Sequence, residues 1–342
     1  MTTPLVPPDA VARWLERLPT PVALTGGTGF VGSHLVDTLC AAGLRPRVLV
    51  RDPASLRWIA GQPIDAVPGT LDDAAALERL VDGAGTVFHL AGLLTADRAE
   101  DFHRVNRDGT ARLVEAVAAA SRARFVLCSS QAAVGPSVDP AGVGPVAPPA
   151  PVSDYGRSKL CGERAVADLG DASWWVIVRP PAIYGPRDTD VLEFFKMASR
   201  GAAVVPAGER WITVAHVADV VAGLLAAAAS GESGRVYPLG EPAPRRLDQM
   251  LHELAAAGGK TVRVIPLPVA AVGAVGAAAG LLRRAGIIDS ALTRDKAREI
   301  AARHWTLRTA DSLRTLGVEP PIPFPDGARS TWSWYRSEGW LR

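Results

Sequence analysis

Short apolar runs alternate with longer amphipathic segments through the first 180 residues of the chain. The runs are too short for helices, whereas the segments between them carry apolar residues at helical spacing. Strands that alternate with such helices form βαβ units, and right-handed crossovers place the helices on both faces of a parallel sheet. We therefore predict an α/β fold, a Rossmann-type doubly wound parallel sheet. Strands are predicted at 21–26, 45–51, 85–92, 123–130, 174–180 and 235–240, and helices at 30–43, 72–83, 104–122, 155–170 and 217–229.

A glycine-rich turn, TGGTGFVG, joins the first predicted strand to the first predicted helix. Its glycines fit two registers: Gly27, Gly29 and Gly32 match G-x-G-x-x-G, and Gly26, Gly29 and Gly32 match G-x-x-G-x-x-G. Such a turn lets the backbone approach a pyrophosphate and directs the N–H groups of a helix N-terminus at it. In this strand–turn–helix setting the motif predicts dinucleotide binding.

The tip of the second predicted strand reads VLVRDP. An acidic residue at this point suits the ribose 2′-hydroxyl of NAD, whereas an arginine suits the 2′-phosphate of NADP. Arg51 lies at the tip and Asp52 follows it, so we favour NADP(H). NAD(H) remains the alternative if Asp52 turns towards the ribose.

YGRSK places Tyr155 and Lys159 four residues apart, on one face of a helix. A nearby ammonium is expected to lower the pKa of the phenol, so that it can exchange a proton with a carbonyl oxygen. Ser130 follows a strand tip, where open α/β sheets bind ligands, and could hold that oxygen. The loop at 135–152, rich in Pro and Gly, could cover the site.

The motifs together resemble those of the extended short-chain dehydrogenases/reductases, the NAD(P)-dependent epimerase/dehydratase superfamily. Five motifs follow one another in the family's order: TGGTGFVG, FHLAG (88–92), CSSQAAVGP (128–136), YGRSK and VRPPAIYGPR (178–187). The tail is similar to those of bacterial members related to 3β-hydroxysteroid dehydrogenases and dihydroflavonol reductases.

The resemblance implies site residues. Ser130, Tyr155, Lys159 and Asn106 would form the catalytic set, with Lys159 also binding the nicotinamide ribose. The implied cofactor-binding positions are Gly26, Thr28, Gly29, Phe30, Val31, Gly32, Arg51, Leu71, Leu90, Ala91, Gly92, Tyr155, Lys159, Pro180 and Ile183.

Two departures from the family pattern bear on the reaction. At position 182 this chain has an alanine, where sugar-nucleotide epimerases share an asparagine. At position 131 it has a glutamine, where dehydratases carry an acidic residue. We therefore predict an NADP(H)-dependent oxidoreductase that interconverts a ketone and a secondary alcohol on an apolar small molecule. The alternatives are an NAD-dependent nucleotide-sugar epimerase and a non-catalytic NAD(P)-binding sensor or scaffold. The resemblance also implies a homodimer formed through the helices at 104–122 and 155–170, which the sequence itself leaves open.

The domain organisation follows from these motifs. We expect residues 1–19 to be a flexible N-terminal arm with one short amphipathic turn, and residues 20–180 to form the dinucleotide-binding Rossmann domain, with elements returning from about 210–240. Residues 181–342 would then form a smaller substrate-binding region.

Composition excludes several partners. With 37 Lys and Arg against 35 Asp and Glu, the net charge of +2 argues against nucleic-acid binding by bulk electrostatics. The three cysteines are not spaced as metal ligands, so we predict no metal and a reducing, cytoplasmic setting.

The start of the chain lacks the pattern of a secretory signal. The uncharged segment 264–282 favours a buried or substrate-covering helix over a membrane span, and peripheral membrane contact remains the alternative.

Overall fold

The computed structural model describes residues 4–120, 123–271, 294–318 and 321–341. Its helices are α1 (Pro8–Leu15), α2 (Phe30–Ala41), α3 (Ala74–Val81), α4 (Ala99–Phe102), α5 (Gly109–Ala120), α6 (Gln131–Val134), α7 (Asp154–Ala167), α8 (Leu192–Ser199), α9 (Val217–Ser230), α10 (Leu247–Ala257), α11 (Arg294–Ala301), α12 (Ala310–Leu316) and α13 (Phe324–Ser337). Its strands are β1 (Val22–Thr25), β2 (Arg47–Val50), β3 (Asp65–Pro68), β4 (Thr86–His89), β5 (Arg124–Cys128), β6 (Trp175–Arg179), β7 (Ala182–Tyr184), β8 (Ala202–Pro206), β9 (Trp211–Ile212), β10 (Val214–His216), β11 (Arg235–Pro238), β12 (Arg245–Arg246), β13 (Arg263–Leu267) and β14 (His304–Trp305).

The central sheet has seven strands in the order β3-β2-β1-β4-β5-β6-β11, and all neighbouring strands are parallel. Every residue of β1, β4 and β6 is buried, as expected where helices cover both faces of a sheet. The winding reverses between β1 and β4, and ligands bind beyond the carboxyl ends of the strands at such a point. The predicted α/β, doubly wound parallel sheet is confirmed.

One strand of the sheet was not predicted. β3 is four residues long, ends on a proline and buries only Val67. A short edge strand with one buried side chain carries neither the alternation nor the apolar run that predicts a strand. By contrast, the returning strand predicted at 235–240 is present as β11, beside β6.

Three helices, α1, α2 and α9, pack together over one face of the sheet. α1 and α2 pack against α9, and their apolar side chains form one core with β1 and β2. Val11 and Trp14 of α1 are buried, at 1% and 4% exposure. The stretch expected to be a flexible arm is therefore a packed two-turn helix over Pro8–Leu15, because these two side chains bury against the fold.

The chain after residue 181 builds a separate apolar core from α8, α10 and α13. Trp332 and Tyr335 of α13 are almost fully buried there, and Phe195 of α8 packs edge-on against both rings. Of the segment 264–282, residues 264–267 continue β13, and residues after 271 lie outside the described part of the chain.

The predicted loop at 135–152 is held by the segment that follows α11. Ser137 Oγ and Thr306 Oγ1 lie 2.7 Å apart, and Val143 pairs with Leu307 in an isolated parallel bridge. The loop is therefore anchored to the C-terminal region beside the carboxyl end of β5. Within the described ranges, no helix is both long and apolar enough to cross a membrane.

Candidate active site

The glycine turn forms a tight bend between β1 and α2, at the carboxyl edge of the sheet. Gly26 has φ +75°, and a Cβ on it would lie 2.5 Å from the backbone nitrogen of Ala91. A Cβ on Gly32 would lie 2.2 Å from the carbonyl oxygen of Gly26. Gly27 instead faces the core, where a Cβ would lie 2.6 Å from Val48 Cγ1. Both registers of the motif thus have a physical basis: the bend itself needs Gly26 and Gly32, and sheet packing needs Gly27.

The first turn of α2 is open at this bend. Gly29 is its N-cap, and no side chain of the described residues caps it. Uncapped N–H groups at a helix N-terminus, with small residues beside them, form a site for an anionic phosphate. The bend therefore fits the pyrophosphate of a dinucleotide. Thr28, Phe30 and Val31 lie on it, each half-buried.

A buried hydrogen-bonded chain ties the bend to the neighbouring strand. Thr25 Oγ1 lies 2.6 Å from His89 Nδ1, and His89 Nε2 lies 2.9 Å from Thr110 Oγ1. Thr110 donates to the carbonyl oxygen of Asn106, so its hydroxyl oxygen accepts from His89 Nε2, and Nδ1 accepts from Thr25. Burial lowers the pKa of His89 to about 3, with a smaller effect from Lys159. His89 is therefore a neutral structural link between β1, β4 and the helix that begins after Asn106.

Asn106 lies in a π-helical turn over His103–Asp108, directly before α5. Its Oδ1 accepts the Leu93 N–H at 2.8 Å, and its Nδ2 donates to Leu93 O and to Ser158 Oγ. Gly92 passes beside it, where a Cβ would lie 2.9 Å from Oδ1. Asn106 thus fixes the chain after β4, which includes the predicted residues Leu90, Ala91 and Gly92.

The two serines after β5 point to different partners. Ser129 Oγ donates to Glu163 Oε1 at 2.6 Å, and Glu163 forms a two-pronged ion pair with Arg179, both side chains being buried. Ser130 caps α6 by accepting the Ala132 N–H at 3.1 Å, and it also hydrogen-bonds the phenol of Tyr155. Ser129 therefore supports the sheet, and Ser130 faces the tyrosine.

Tyr155 and Lys159 lie one turn apart on α7, and both side chains turn towards the end of β5. Lys159 is 8% exposed and its Nζ donates to the carbonyl oxygen of Cys128 at 2.9 Å. The expected lowering of the phenol pKa by this ammonium is not found. Burial raises the pKa of Tyr155, and the hydrogen bond from Ser130 opposes that effect only in part. Burial also lowers the pKa of Lys159.

The residues predicted around the adenosine lie after β2 and β3. Arg51 is exposed, while Asp52 Oδ1 accepts the Ala54 N–H at 2.9 Å within its own turn. Leu71 is 9% exposed and packs on Gly109 of α5, where a Cβ would lie 2.8 Å from Leu71 Cδ1. The carboxylate of Asp52 is thus hydrogen-bonded within its own turn, and Leu71 packs in the apolar core.

Pro180 and Ile183 follow β6 in the chain. The carbonyl oxygen of Pro180 accepts the Gln131 N–H at 2.8 Å, which joins the ends of β5 and β6. Ile183 lies on β7 beside Ala215 of β10 and is half-buried. The fold therefore brings the predicted positions at β1, β4, β5, β6 and α7 to one edge of the sheet.

Sequence reasoning missed two sets of residues at this edge. Arg187 donates to Ser33 Oγ and Asp37 Oδ2, which locks α2 to the segment after β7. Asp295 and Glu299 of α11 contact the start of α7, which carries Tyr155. Neither set follows a local motif, because each depends on a contact more than 100 residues away in the chain.

Fold and site together define a dinucleotide-binding Rossmann enzyme. The model of the NAD dependent epimerase/dehydratase family matches residues 22–240. The chain therefore belongs to this family, and the predicted resemblance to the extended short-chain dehydrogenases/reductases is confirmed. In the described residues, no group of three or more His, Cys, Asp and Glu side chains is arranged to hold a metal ion.

Several relatives are oxidoreductases by name. The chain is 38% identical over 328 residues to a ceramide reductase of Caulobacter vibrioides, covering 94% of this chain and 96% of the relative. It is 32% identical over 253 residues to a farnesyl dihydroquinoline-oxide ketoreductase of Stigmatella aurantiaca, with 72% and 75% covered. These matches identify the chain as an oxidoreductase of its family.

Solved structures share the fold. The crystal structure of gox2253 superposes with a TM-score of 0.77 at 26% identity, covering 94% of this chain and 99% of that one. A UDP-glucose 4-epimerase of Thermus thermophilus in complex with NAD gives a TM-score of 0.73 at 24% identity, with 92% and 98% covered. At that identity the epimerase shows the shared fold alone.

Proposed function

We propose that this protein is an NADPH-dependent reductase of a ketone on an apolar, ceramide-like lipid. The observation that carries the proposal is the group formed by Tyr155, Ser130 and Lys159 at the carboxyl edge of the sheet, beside the open glycine bend. The named reductases among its relatives support the reaction type, and the ceramide reductase supports the substrate class.

Each residue of the site has its own role in the proposed reduction. A bound nicotinamide supplies the hydride that reduces the carbonyl carbon. Ser130 donates a hydrogen bond to the carbonyl oxygen and holds it against the phenol. Tyr155 then donates its proton to that oxygen. Because burial raises the pKa of Tyr155, the phenol stays protonated at neutral pH and suits the role of a general acid in the reducing direction.

Lys159 would hold the cofactor. Its ammonium is fixed by the Cys128 carbonyl oxygen at the end of β5, and it lies within 4 Å of the position that a Cβ on Gly92 would occupy. From there it would bind the ribose next to the nicotinamide.

The preference for NADPH rests on the tip of β2. Arg51 is exposed there, and the carboxylate of Asp52 is already hydrogen-bonded within its own turn. An exposed guanidinium can pair with a 2′-phosphate in the two-pronged manner that phosphate geometry favours.

The proposal predicts a specific loss in the Tyr155→Phe variant. The probe is a ceramide whose secondary hydroxyl has been oxidised to the ketone, presented in detergent micelles, with NADPH oxidation followed by absorbance. We expect kcat to fall by about 100-fold or more, because the proton donor is removed. The Kd for NADPH, measured by fluorescence titration, should change less than about 3-fold, since the phenyl ring is retained.

Tyr184→Phe is the matched control. Tyr184 is also a buried phenol near the ends of the strands, and it packs edge-on against His216 and Phe324 in the C-terminal core. This variant should keep kcat within about 3-fold of the unmodified enzyme, since it touches no reacting atom. Full turnover by Tyr155→Phe would refute the proposed mechanism.

A further inference from the structure

The N-terminal turn of α7 carries the proposed general acid, since Tyr155 is the second residue of this helix. The position of a side chain in a first helical turn depends on how the unpaired N–H groups of that turn are held. Three consecutive N–H groups are at issue here, those of Asp154, Tyr155 and Gly156.

Two carboxylates of α11 reach this turn. Asp295 accepts the Asp154 N–H through Oδ1 at 2.7 Å and the Tyr155 N–H through Oδ2 at 3.2 Å. Glu299 Oε1 accepts the Ser153 hydroxyl at 2.7 Å, and Ser153 Oγ in turn accepts the Gly156 N–H at 2.9 Å. All three N–H groups are therefore engaged, two of them by a residue about 140 positions further along the chain.

The arrangement suits both geometry and charge. Asp295 and Glu299 are four residues apart and so share one face of α11. Carboxylates are favourable at a helix N-terminus, and hydrogen bonds to ionised acceptors are stronger than neutral ones. Lys296 pairs with Glu299 Oε2 at 3.0 Å, and Arg298 lies 3.7 Å from carboxylate oxygens of both Asp154 and Asp295. These cations offset the negative charge that the two carboxylates bring to the turn.

We infer that Asp295 and Glu299 are positioning residues that hold the first turn of α7 so that the Tyr155 phenol stays against Ser130. The inference rests on the proposed role of Tyr155 as the general acid. It explains how the C-terminal region contributes to a site whose reacting groups all lie on the Rossmann domain.

Glu299 also affects the phenol through its charge. The charged or titratable groups that face Tyr155 from other elements are Glu299 of α11, Cys128 of β5 and Asp190 before α8. Each of the three raises the pKa of the phenol, in addition to the larger effect of burial. Removing the charge of Glu299 should therefore ease the loss of the phenol proton, which a purely structural role would not predict.

The test compares Asp295→Ala and Asp295→Asn with a capping variant far from the site. Asp73→Ala removes a carboxylate that caps α3 by accepting the Ala76 N–H at 3.0 Å. It shows what the loss of a helix cap alone does to stability and activity. With the keto-ceramide probe, Asp295→Ala should lower kcat by about 10-fold or more at unchanged NADPH affinity, because the phenol is misplaced rather than lost. Asp295→Asn keeps one acceptor oxygen and should recover part of that loss, while Asp73→Ala should keep full kcat.

The charge effect is read from a pH profile. In the direction of alcohol oxidation, the limb of kcat that requires the phenolate should move to lower pH in Glu299→Gln, by half a pH unit or more. A limb that does not move, or Asp295→Ala with the same kcat as Asp73→Ala, would overturn the inference. If Tyr155→Phe is inactive while Asp295→Ala is fully active, only the positioning role fails; if Tyr155→Phe is active, the proposed function fails and the positioning role with it.

Discussion

At the scale of single residues, burial decides what each ionisable group at the site can do. Burial raises the pKa of Tyr155 and lowers the pKa of Lys159, because desolvation disfavours the charged form of either group. His89 is likewise kept neutral and serves as a link between strands. A charged ligand is therefore bound more readily by an exposed group at the carboxyl edge of the sheet, such as Arg51.

Arg51 carries the prediction about cofactor choice. In Arg51→Ala the Kd for NADPH should rise by about 10- to 100-fold, the cost of losing charge-assisted hydrogen bonds to a phosphate. The Kd for NADH should stay within about 2-fold, because NADH has no 2′-phosphate. Fluorescence titration of both cofactors measures the two values.

A charge-matched control is available at the other end of the same strand. Arg45 precedes β2, at the opposite edge of the sheet, and pairs with Asp65 at 2.5 Å. Arg45→Ala removes the same charge and should leave both affinities unchanged. Equal weakening of NADPH and NADH in Arg51→Ala would count against the preference for NADPH.

At the scale of elements, the bend between β1 and α2 determines whether a dinucleotide can approach the helix. The carbonyl oxygen of Gly26 occupies the space beside Gly32, so the first turn of α2 can lie against the bend only where no Cβ intervenes. No side chain in the described part of the chain caps the same turn, so its N–H groups can serve the proposed phosphate site. Close packing requires these small residues, and the proposed pyrophosphate site depends on them as well.

Gly32→Ala should therefore abolish cofactor binding. The new Cβ would meet the Gly26 carbonyl oxygen at 2.2 Å, so the bend must shift away from the helix. We expect the Kd for NADPH to rise by about 100-fold or more, since the pyrophosphate site depends on this geometry. Calorimetric titration measures the change.

The control for this variant is Gly43→Ala, just after α2. Gly43 has φ +80°, and no atom of the described residues lies within 4 Å of its would-be Cβ, so the substitution strains the backbone without a clash among them. It should lower the free energy of unfolding by about 1 kcal/mol and leave cofactor affinity unchanged. Normal binding by Gly32→Ala would show that the bend is not the pyrophosphate site.

At the scale of the whole molecule, a partly buried hydrogen bond ties the C-terminal region to the Rossmann domain. Asp219 of α9 accepts the Ile322 N–H through Oδ2 at 3.1 Å, just before α13. Burial, with a smaller contribution from Glu241, raises the pKa of Asp219 to about 7. His216 caps α9 by accepting the Ala218 N–H, which agrees with the structural role that its position at the helix start indicates.

The raised pKa of Asp219 predicts how stability depends on pH. The folded protein holds the proton of this group up to about pH 7, whereas the unfolded chain releases it near pH 4, so this group makes folding less favourable as the pH rises between these values. Asp219→Asn cannot ionise and should keep the Ile322 contact through its amide oxygen. Relative to the unmodified protein, its free energy of unfolding should increase by about 1 kcal/mol or more from pH 4 to pH 8.

Urea unfolding at several pH values measures this difference. Asp311→Asn on α12, where the carboxylate is 84% exposed, is the control and should change stability by less than about 0.5 kcal/mol at each pH. A difference for Asp219→Asn that stays constant with pH would contradict the assignment of a partly buried carboxyl that holds its proton up to about pH 7.

The sequence predicted the central sheet well because its signals are local. Apolar runs, helical spacing and glycine positions are each encoded within a few residues, and β1, β4, β5 and β6 lie where those signals place them. β3 was missed because one buried valine gives no periodic signal. The packed helix α1 was expected to be a flexible arm because its two buried side chains find their partners on α9, more than 200 residues away.

The sequence by itself thus determined the α/β architecture, the glycine bend and the pairing of Tyr155 with Lys159 on one helix face. Only the tertiary structure decided that burial, rather than the lysine, dominates the pKa of the phenol, and that Asp295 and Glu299 hold the turn from which it extends. The physical reason is range: periodicity and spacing act between neighbours in the chain, whereas desolvation and the capping of α7 depend on segments that meet only when the whole chain has folded.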